Sequence, residues 1–195
     1  MIKIEKIEEM CKGKFVNLKK LFYKEDGKDK IWEIAELFDS VAILIYNVDE
    51  GSFVLVKQFR PPVYLKNNNG YTYELCAGIC DKDISLEQIA IEEIYEETGY
   101  KVDNIAKINS FYTSVGSAGA KQTLFYAEVE NKDKINNGGG IDTEKIEVIH
   151  LSISEMEDFM YDESKVKTPG LLYAFEWWRN QAIDAMMEET EKGLK

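Results

Sequence analysis

The sequence predicts a mixed α/β (α+β) fold in which strands and helices pack in layers. Two strongly apolar segments, at 41–47 and 52–59, have the composition of buried strands, and an amphipathic pattern at 85–99 indicates a helix. More strands and two terminal helices follow, which is typical of a sheet with helices on its faces. The length of 195 residues suits one domain, and 45% hydrophobic with 31% charged residues suits a globular protein.

The first 39 residues alternate short strand-like pieces with turns. Segments 14–24 and 30–39 flank an Asp-Gly turn at 26–27, which is a strong hairpin signal. The stretch has too few apolar positions to form a core by itself. We therefore expect residues 1–39 to form a small N-terminal antiparallel β segment and residues 40–195 to form the main domain.

The main domain begins with the two apolar strands, which a hairpin joins. Pro61 and Pro62 end the second strand, because proline cannot donate to a sheet. Residues 67–70 form a loop tip, and one strand is expected at 71–78. The helix at 85–99 comes next.

The second half of the chain repeats this alternation. The pattern predicts three strands and then two helices, at 106–113, 121–130, 145–153, 154–162 and from Thr168-Pro169 onward. Threonine followed by proline is a favoured helix start. Loops rich in small residues are expected at 114–120 and 136–140.

Charge and residue counts exclude several classes of function. The chain has 24 Lys and Arg against 36 Asp and Glu, a formal net charge of −12. This sign repels nucleic acids and anionic membranes, so we expect neither as a partner. The single histidine, His150, excludes a multi-histidine zinc site. Three cysteines without a CxxC pair, no signal peptide and no apolar run of ~20 residues together predict a cytoplasmic protein.

The helix at 85–99 carries the most informative cluster of charges. It begins at a capping box, Ser85 with Gln88, ends at Gly99, and holds four neighbouring acids: Glu92, Glu93, Glu96 and Glu97. At about 100° per residue these four share one face, and the opposite arc, which packs on a core, holds Ile91, Ile94, Tyr95 and Thr98. Like charges one turn apart destabilise a helix. The cluster is either a solvated face of an acidic protein or a set of oxygen ligands for Mg²⁺ or Mn²⁺.

Residues 78–100 resemble the Nudix box, whose pattern is G-x5-E-x7-R-E-U-x-E-E-x-G-U with U a bulky apolar residue. Seven of the nine defined positions match: Gly78, Glu93, Ile94, Glu96, Glu97, Gly99 and Tyr100. Ile84 replaces the first glutamate and Glu92 replaces the arginine. Segments at 39–47, 55–64, 73–78 and 138–151 extend the resemblance to the ADP-sugar and UDP-sugar pyrophosphatase branch of the family, most closely to UDP-glucose pyrophosphatases.

The resemblance implies an α/β/α sandwich with a mixed sheet. It also implies Mg²⁺-dependent hydrolysis of a nucleoside diphosphate sugar, UDP-glucose-like or ADP-ribose, to a nucleoside monophosphate and a sugar phosphate, with Mn²⁺ as a substitute metal. A homodimer is implied in which the N-terminal strands cross to the partner. This agrees with the inability of residues 1–39 to form a core alone.

Roles for individual residues also follow from the resemblance. It places the metal on Glu93, Glu97 and the backbone carbonyl of Ala77, with Glu96 beside them in a catalytic role. Substrate contacts are expected at Arg60, Glu74 and Trp32. A carboxylate on the loop after the glycines, Asp142 or Glu144, suits a general base.

Each of these candidates also has a structural interpretation. Arg60 is either a surface arginine at a strand end or a bidentate clamp for phosphate in an acidic protein. Glu74 is an exposed strand position or a substrate contact, and Trp32 is a core aromatic or a stacking partner. Asp142 and Glu144 alternatively belong to a charged turn. For the whole chain, a non-catalytic nucleotide-sugar sensor and a plain acidic interaction domain remain as rival functions.

Overall fold

Three antiparallel strands form a sheet of their own at the N-terminus. The computed structural model describes residues 1–141 and 143–193, with side chains described as far as position 183. The strands are β1 (Ile2–Lys12), β2 (Asn17–Glu25) and β3 (Lys28–Glu36), in the order β1-β2-β3. Asp26 and Gly27 join β2 to β3 with φ of 50° and 79°, as a two-residue hairpin turn requires. The predicted hairpin is confirmed, and β1 is an additional partner.

A second, mixed sheet forms the centre of the main domain. Its seven strands are β4 (Ser40–Asn47), β5 (Ser52–Phe59), β6 (Tyr71–Glu74), β7 (Cys76–Ile79), β8 (Ala106–Thr113), β9 (Ala120–Val129) and β10 (Ile146–Ser152). The order is β10-β5-β4-β9-β8, with β6 paired to β5 and β7 paired to β4. Strands β4 and β9 are parallel and the other pairs are antiparallel.

Helices cover both faces of this sheet. They are α1 (Pro61–Asn67), α2 (Leu86–Glu93), α3 (Met156–Tyr161) and α4 (Pro169–Gly193), and α2 continues into a π-helical turn at Ile94–Thr98. Short 3₁₀ turns lie at Asn131–Asp133 and Ile153–Glu155. Within the described ranges, no helix has both the length and the apolar composition to cross a membrane.

The core is divided into two layers because alternate side chains of a strand point to opposite faces. One layer joins the sheet to α2 and its π-turn through Val41, Ile43, Ile45, Ile89 and Ile94. The other layer joins it to α3 and α4 through Leu44, Phe53, Leu55, Phe159 and Phe175. Phe53 and Phe175 meet with ring centroids 4.8 Å apart. The α/β/α sandwich with a mixed sheet is confirmed.

Between β5 and the box helix, one helix was not predicted and one predicted strand is wrong. Residues 61–67 form α1, because Pro61 occupies the first helical position, where its missing N–H and fixed φ are tolerated. The strand expected at 71–78 is two strands that pair with different partners, interrupted at Leu75. Leu75 is buried in the layer under α3 and α4. The break matters because β6 carries Glu74 and β7 carries Ala77.

Candidate active site

The box helix is fixed at both ends by its own sequence. At the start, the Ser85 side chain accepts a hydrogen bond from the Gln88 backbone N–H at 3.1 Å. At the end, Gly99 adopts φ of 76°, a left-handed conformation that glycine reaches without steric cost. A Cβ atom on Gly99 would overlap the backbone of Asn136. The predicted boundaries are therefore confirmed.

The helix widens into a π-turn in its last five residues, which changes where the side chains point. Hydrogen bonding from i to i+5 widens the turn, so the arithmetic of about 100° per residue stops applying at Ile94. Tyr95, expected on the core side, is 45% exposed. Glu97 is only 4% exposed, and Glu92 pairs with Lys82 instead of joining the other acids.

The glycine-rich loop closes over this π-turn. The N–H of Gly139 donates to the Glu97 carbonyl at 2.8 Å, and the N–H of Gly140 donates to the Glu96 carbonyl at 3.1 Å. A Cβ on Gly138 would overlap the Glu97 carbonyl oxygen. Glycines are needed here because the loop backbone approaches the helix backbone directly. The loop thereby brings Glu144 to the acidic cluster.

Glu93 packs against the backbone of β7. A Cβ on Gly78 would overlap the Glu93 carboxylate, so this glycine makes room for the acid. Burial raises the pKa of Glu93 to about 7, with further increases from the charges of Glu96 and Glu144.

Glu97 is the most deeply buried acid of the cluster. Its carboxylate accepts the Ala77 N–H at 3.0 Å, and the buried Cys76 lies beside it. Burial nevertheless raises the pKa of Glu97 to about 8, and the charges of Glu93 and Glu144 add to the shift. Glu97 is thus an acid held in a place where its charge is costly unless a cation shares the site.

Arg60 is held by Glu74 in a bidentate pair. Nε and Nη2 of Arg60 each donate to a Glu74 carboxylate oxygen at 2.7 Å, and Thr72 donates to the same carboxylate. Burial pushes the pKa of Glu74 upward, but the hydrogen bonds and charge of Arg60 outweigh it and lower the pKa. The hydrogen bond to Glu74 raises the pKa of Arg60, and charges from Glu97 and Glu144 act in the same direction. The guanidinium therefore lies within electrostatic range of the acidic cluster.

The remaining expected residues lie around this centre. Glu144 accepts the Ile141 N–H at 3.1 Å, so its own loop orients its carboxylate. Glu96 is half-exposed beside Glu93. Ala77 lies on β7 opposite Ala42. Asp142 lies outside the described residues.

Trp32 lies on β3, in the N-terminal sheet. Its indole Nε1 donates to the Gly116 carbonyl at 2.9 Å, and the ring is 51% exposed. A second hydrogen bond, from the Ala35 N–H to the Ser117 carbonyl at 2.8 Å, ties β3 to the same loop. The alternative interpretation of Trp32 as a core aromatic is wrong, and its stacking role stays a prediction.

Comparison with known proteins decides the family. Residues 36–169, more than half of the chain, match the model of the NUDIX domain. The chain belongs to the Nudix family. Uridine diphosphate glucose pyrophosphatase NUDT14 from Bos taurus is 35% identical to this Nudix protein over 189 residues, 81% of this chain and 85% of the relative. GDP-mannose pyrophosphatase from Pectobacterium atrosepticum is 39% identical over 134 residues, 68% of this chain and 69% of the relative.

A solved structure shares the fold of this Nudix protein. The crystal structure of an ADP compounds hydrolase superposes with a TM-score of 0.71 at 14% sequence identity, covering 92% of this chain and 95% of that one. At this identity the likeness supports the α/β/α architecture alone.

The acidic cluster of this Nudix protein suits a hard divalent cation. Among the described residues, no three His, Cys, Asp or Glu side chains form a ready-made ligand set. However, Glu97 is buried and Glu93 is partly buried, and the charge of Glu144 makes the ionised form of both less favourable. Carboxylates and a backbone carbonyl are the oxygen ligands that Mg²⁺ and Mn²⁺ accept. The donor set at Glu93, Glu97 and Ala77 therefore fits such an ion.

Three contributors to the site have weak signals in the sequence. Cys76 is buried beside Glu97. Lys82 lies ten residues before its partner Glu92. A crevice of about 410 Å³ opens between Glu74, Ala77 and the residues Phe111, Tyr112, Gln122 and Pro169. Sequence spacing reveals none of these contacts, since each joins residues that meet only in the folded chain.

Proposed function

We propose that this protein hydrolyses the diphosphate of nucleoside diphosphate sugars, giving a nucleoside monophosphate and a sugar phosphate, with Mg²⁺ as its metal and Mn²⁺ as a substitute. The observation that carries the proposal is the burial of Glu97 and the packing of Glu93 against β7, with Arg60 close enough to sense the charge of Glu97. The names of the relatives support this substrate class, and NUDT14, which aligns over most of the chain, favours a UDP-sugar.

The metal would be held by Glu93 and Glu97, with Glu96 and the Ala77 carbonyl beside them. When bound, a divalent cation neutralises charge on the diphosphate and lowers the pKa of a water molecule. Glu97 and the partly buried Glu93 would supply the negative charge that retains the cation, and the hydrogen bond from the Ala77 N–H would hold Glu97 in place. The Ala77 N–H donates to Glu97, so Ala77 and Glu97 are already in contact. The carbonyl proposed as a metal ligand belongs to this same residue of β7.

Arg60 would bind the substrate diphosphate. Its bidentate pair with Glu74 uses Nε and one terminal nitrogen, and the rest of the guanidinium can donate to phosphate oxygens. Negative charge on the phosphorus oxygens increases in the transition state, and a guanidinium held in place stabilises it there. Glu74 acts through Arg60 in this arrangement, by orienting it.

Glu144 would take the proton of the attacking water. It lies on the loop that packs on the π-turn, and its charge influences both Glu93 and Glu97. A carboxylate in this position can accept a proton during in-line attack on phosphorus. Asp142 is a second candidate for the same role.

The crevice between Glu74, Ala77 and Phe111 would receive one end of the substrate, and Trp32 would contact the base. Trp32 is held over the loop that begins at Ser114, which lines the crevice. A homodimer is part of this proposal, since the N-terminal sheet exposes a set of apolar side chains that a second copy can cover: Ile2, Ile4, Ile7, Met10, Leu18 and Ile31. Three free cysteines support a reducing, cytoplasmic location.

A non-catalytic nucleotide-sugar sensor is the second candidate, favoured by Ile84 and Glu92 at two positions of the box. One experiment separates the two functions. A panel containing UDP-glucose, GDP-mannose and ADP-ribose is incubated with the protein, with and without Mg²⁺, and analysed by ion-exchange chromatography. We expect Mg²⁺-dependent formation of the nucleoside monophosphate. Tight binding of a panel member without any product would instead support the sensor.

A further inference from the structure

An ion pair joins the loop before the box helix to the end of that helix. Lys82 Nζ lies 2.7 Å from Glu92 Oε2, and Gln88 Nε2 lies 3.5 Å from the other Glu92 oxygen. Glu92 occupies one of the two positions at which the chain departs from the box pattern, and Lys82 lies in the segment between β7 and α2. The pair therefore connects two pieces of backbone that ten residues separate.

Both residues of the ion pair are close in sequence to the proposed metal site. Glu92 precedes Glu93, and Gly78, which contacts the Glu93 carboxylate, lies four residues before Lys82. Gly78, the loop, the ion pair and Glu93 thus form a closed ring of contacts. A restraint at one point of such a ring limits the movement of the loop and of the last turn of α2 together.

We infer that Lys82 and Glu92 are a positioning pair, which holds the loop at 80–85 against α2 and keeps Glu93 packed on Gly78 in the orientation that binds a divalent cation. The inference rests on the metal-binding part of the proposed function. The pair is partly exposed, with 46% of the Lys82 side chain and 35% of the Glu92 side chain accessible. Water and salt screen the charges of exposed pairs, so the expected effects are modest.

The sign of the effect distinguishes positioning from simple electrostatics. Lys82 is a cation close to Glu93 and Glu96. If only its charge mattered, Lys82→Met would tighten the binding of a divalent cation, because a repelling charge is lost. If the pair positions Glu93, the same substitution weakens binding. Methionine keeps most of the apolar stem of lysine, so packing changes little.

The test measures Mn²⁺ affinity directly, by the electron paramagnetic resonance signal of free Mn²⁺ in a titration of the full-length protein. We expect Lys82→Met and Glu92→Gln each to weaken binding about 2- to 5-fold, the range that an exposed pair can account for. The charge swap Lys82→Glu with Glu92→Lys keeps the net charge, and we expect it to restore affinity to within about 2-fold of wild type. Melting temperatures confirm that each variant is folded.

A second ion pair provides the matched control. Lys57 and Glu147 are paired across β5 and β10 at 2.9 Å. Strand alternation places Lys57 on the face of Phe53 and Leu55, opposite to the box helix. Lys57→Met and Glu147→Gln should leave Mn²⁺ affinity within error of wild type.

The outcomes separate this inference from the proposed function. Tighter binding by Lys82→Met, or a charge swap that binds as weakly as the single variants, overturns the inference whatever the turnover. The expected Mn²⁺ pattern without any hydrolysis of nucleotide sugars supports the inference and overturns the proposed activity. A wild-type protein that binds no Mn²⁺ overturns both.

Discussion

Glu97 is an acid that the fold places almost out of contact with water. It accepts a hydrogen bond from the Ala77 N–H, yet burial still raises its pKa to about 8. Burying a charge without compensation is among the most unfavourable changes in a protein. A residue kept under these conditions is far better explained by a bound cation than by stability.

Glu97→Gln should abolish turnover and leave the fold intact or slightly more stable. Glutamine keeps the size and helix propensity of glutamate but loses the anionic oxygen, so we expect a loss of about 10³-fold or more in kcat. The loss is measured by steady-state kinetics at saturating Mg²⁺, with a nucleotide sugar that the wild-type protein hydrolyses. Glu87→Gln, an exposed acid of the same helix, is the matched control and should keep its activity. Near wild-type kcat in Glu97→Gln would contradict the metal-ligand assignment.

The stability of the metal-free protein should fall as pH rises. The pKa values of Glu93 and Glu97 are raised from 4.5 to about 7 and about 8. From about pH 4.5 to about pH 8, the native state binds more protons than the unfolded state. The free energy of unfolding therefore decreases as pH increases in this range. Melting in EDTA from about pH 5 to about pH 8.5 should show a decreasing Tm, with a smaller slope for Glu97→Gln. Equal slopes for the two proteins would show that Glu97 does not titrate in this range.

Arg60→Ala should lower kcat/KM by about 10- to 1,000-fold, since one charge-assisted clamp on the diphosphate is lost. The variant also leaves Glu74 buried without its partner, so Tm should fall by a few degrees. Arg179→Ala removes the arginine of a surface pair on α4 and is the control for charge. Kinetics like wild type in Arg60→Ala would make Arg60 a purely structural residue.

At the residue scale, the sequence predicts which acids belong to the site, but it does not predict the contacts around them. Spacing alone selects Glu93 and Glu97 as members of one cluster. It does not show that Glu74 orients Arg60, because those residues meet only through the pairing of β5 with β6. The placement of Cys76 beside Glu97 is equally absent from the sequence, since a buried cysteine has no pattern that reveals its neighbours.

Among the elements, the contact between β7 and the box helix determines the position of Glu93. Gly78→Ala adds a Cβ that overlaps the Glu93 carboxylate, so this side chain must move. We expect at least about a tenfold loss of kcat/KM, because a misplaced ligand lowers transition-state stabilisation. The Mn²⁺ titration described above should show weaker binding. Gly116→Ala, where a Cβ has open space, controls for the effect of the substitution on folding and should melt near wild type.

The long periodic elements are the ones that the sequence predicts correctly. Strands β4, β5, β8 and β9 and the start of α2 lie where apolar alternation and the Ser85 cap indicate. The short helix α1 is not predicted, because the two prolines indicate only the end of a strand. Proline is also favoured at the first position of a helix, which Pro61 occupies. Hydrophobic spacing does not predict the π-turn. The turn is accompanied by a tertiary contact, in which N–H groups of the glycine-rich loop donate to the carbonyls of Glu96 and Glu97.

For the whole molecule, we predict a dimer that depends on the N-terminal sheet. The segment exposes a row of apolar side chains, and it touches the main domain through Trp32 and Ala35. Exposed apolar surface on this scale is typical of an interface. Light scattering should give twice the 22.4 kDa chain mass for the full-length protein. A truncation that starts near Asp39 should lose both the dimer and most of the activity; a fully active, folded monomer would rule out this arrangement.

The raised pKa values of Glu93 and Glu97 also mean that the metal-free site binds protons near neutral pH. Near neutral pH, both carboxyls of the metal-free protein are partly protonated, and a divalent cation must displace these protons to bind. Loading the metal should therefore acidify a weakly buffered solution, and the calorimetric heat of binding should vary with the ionisation enthalpy of the buffer. Acidification should therefore weaken the binding of a divalent cation.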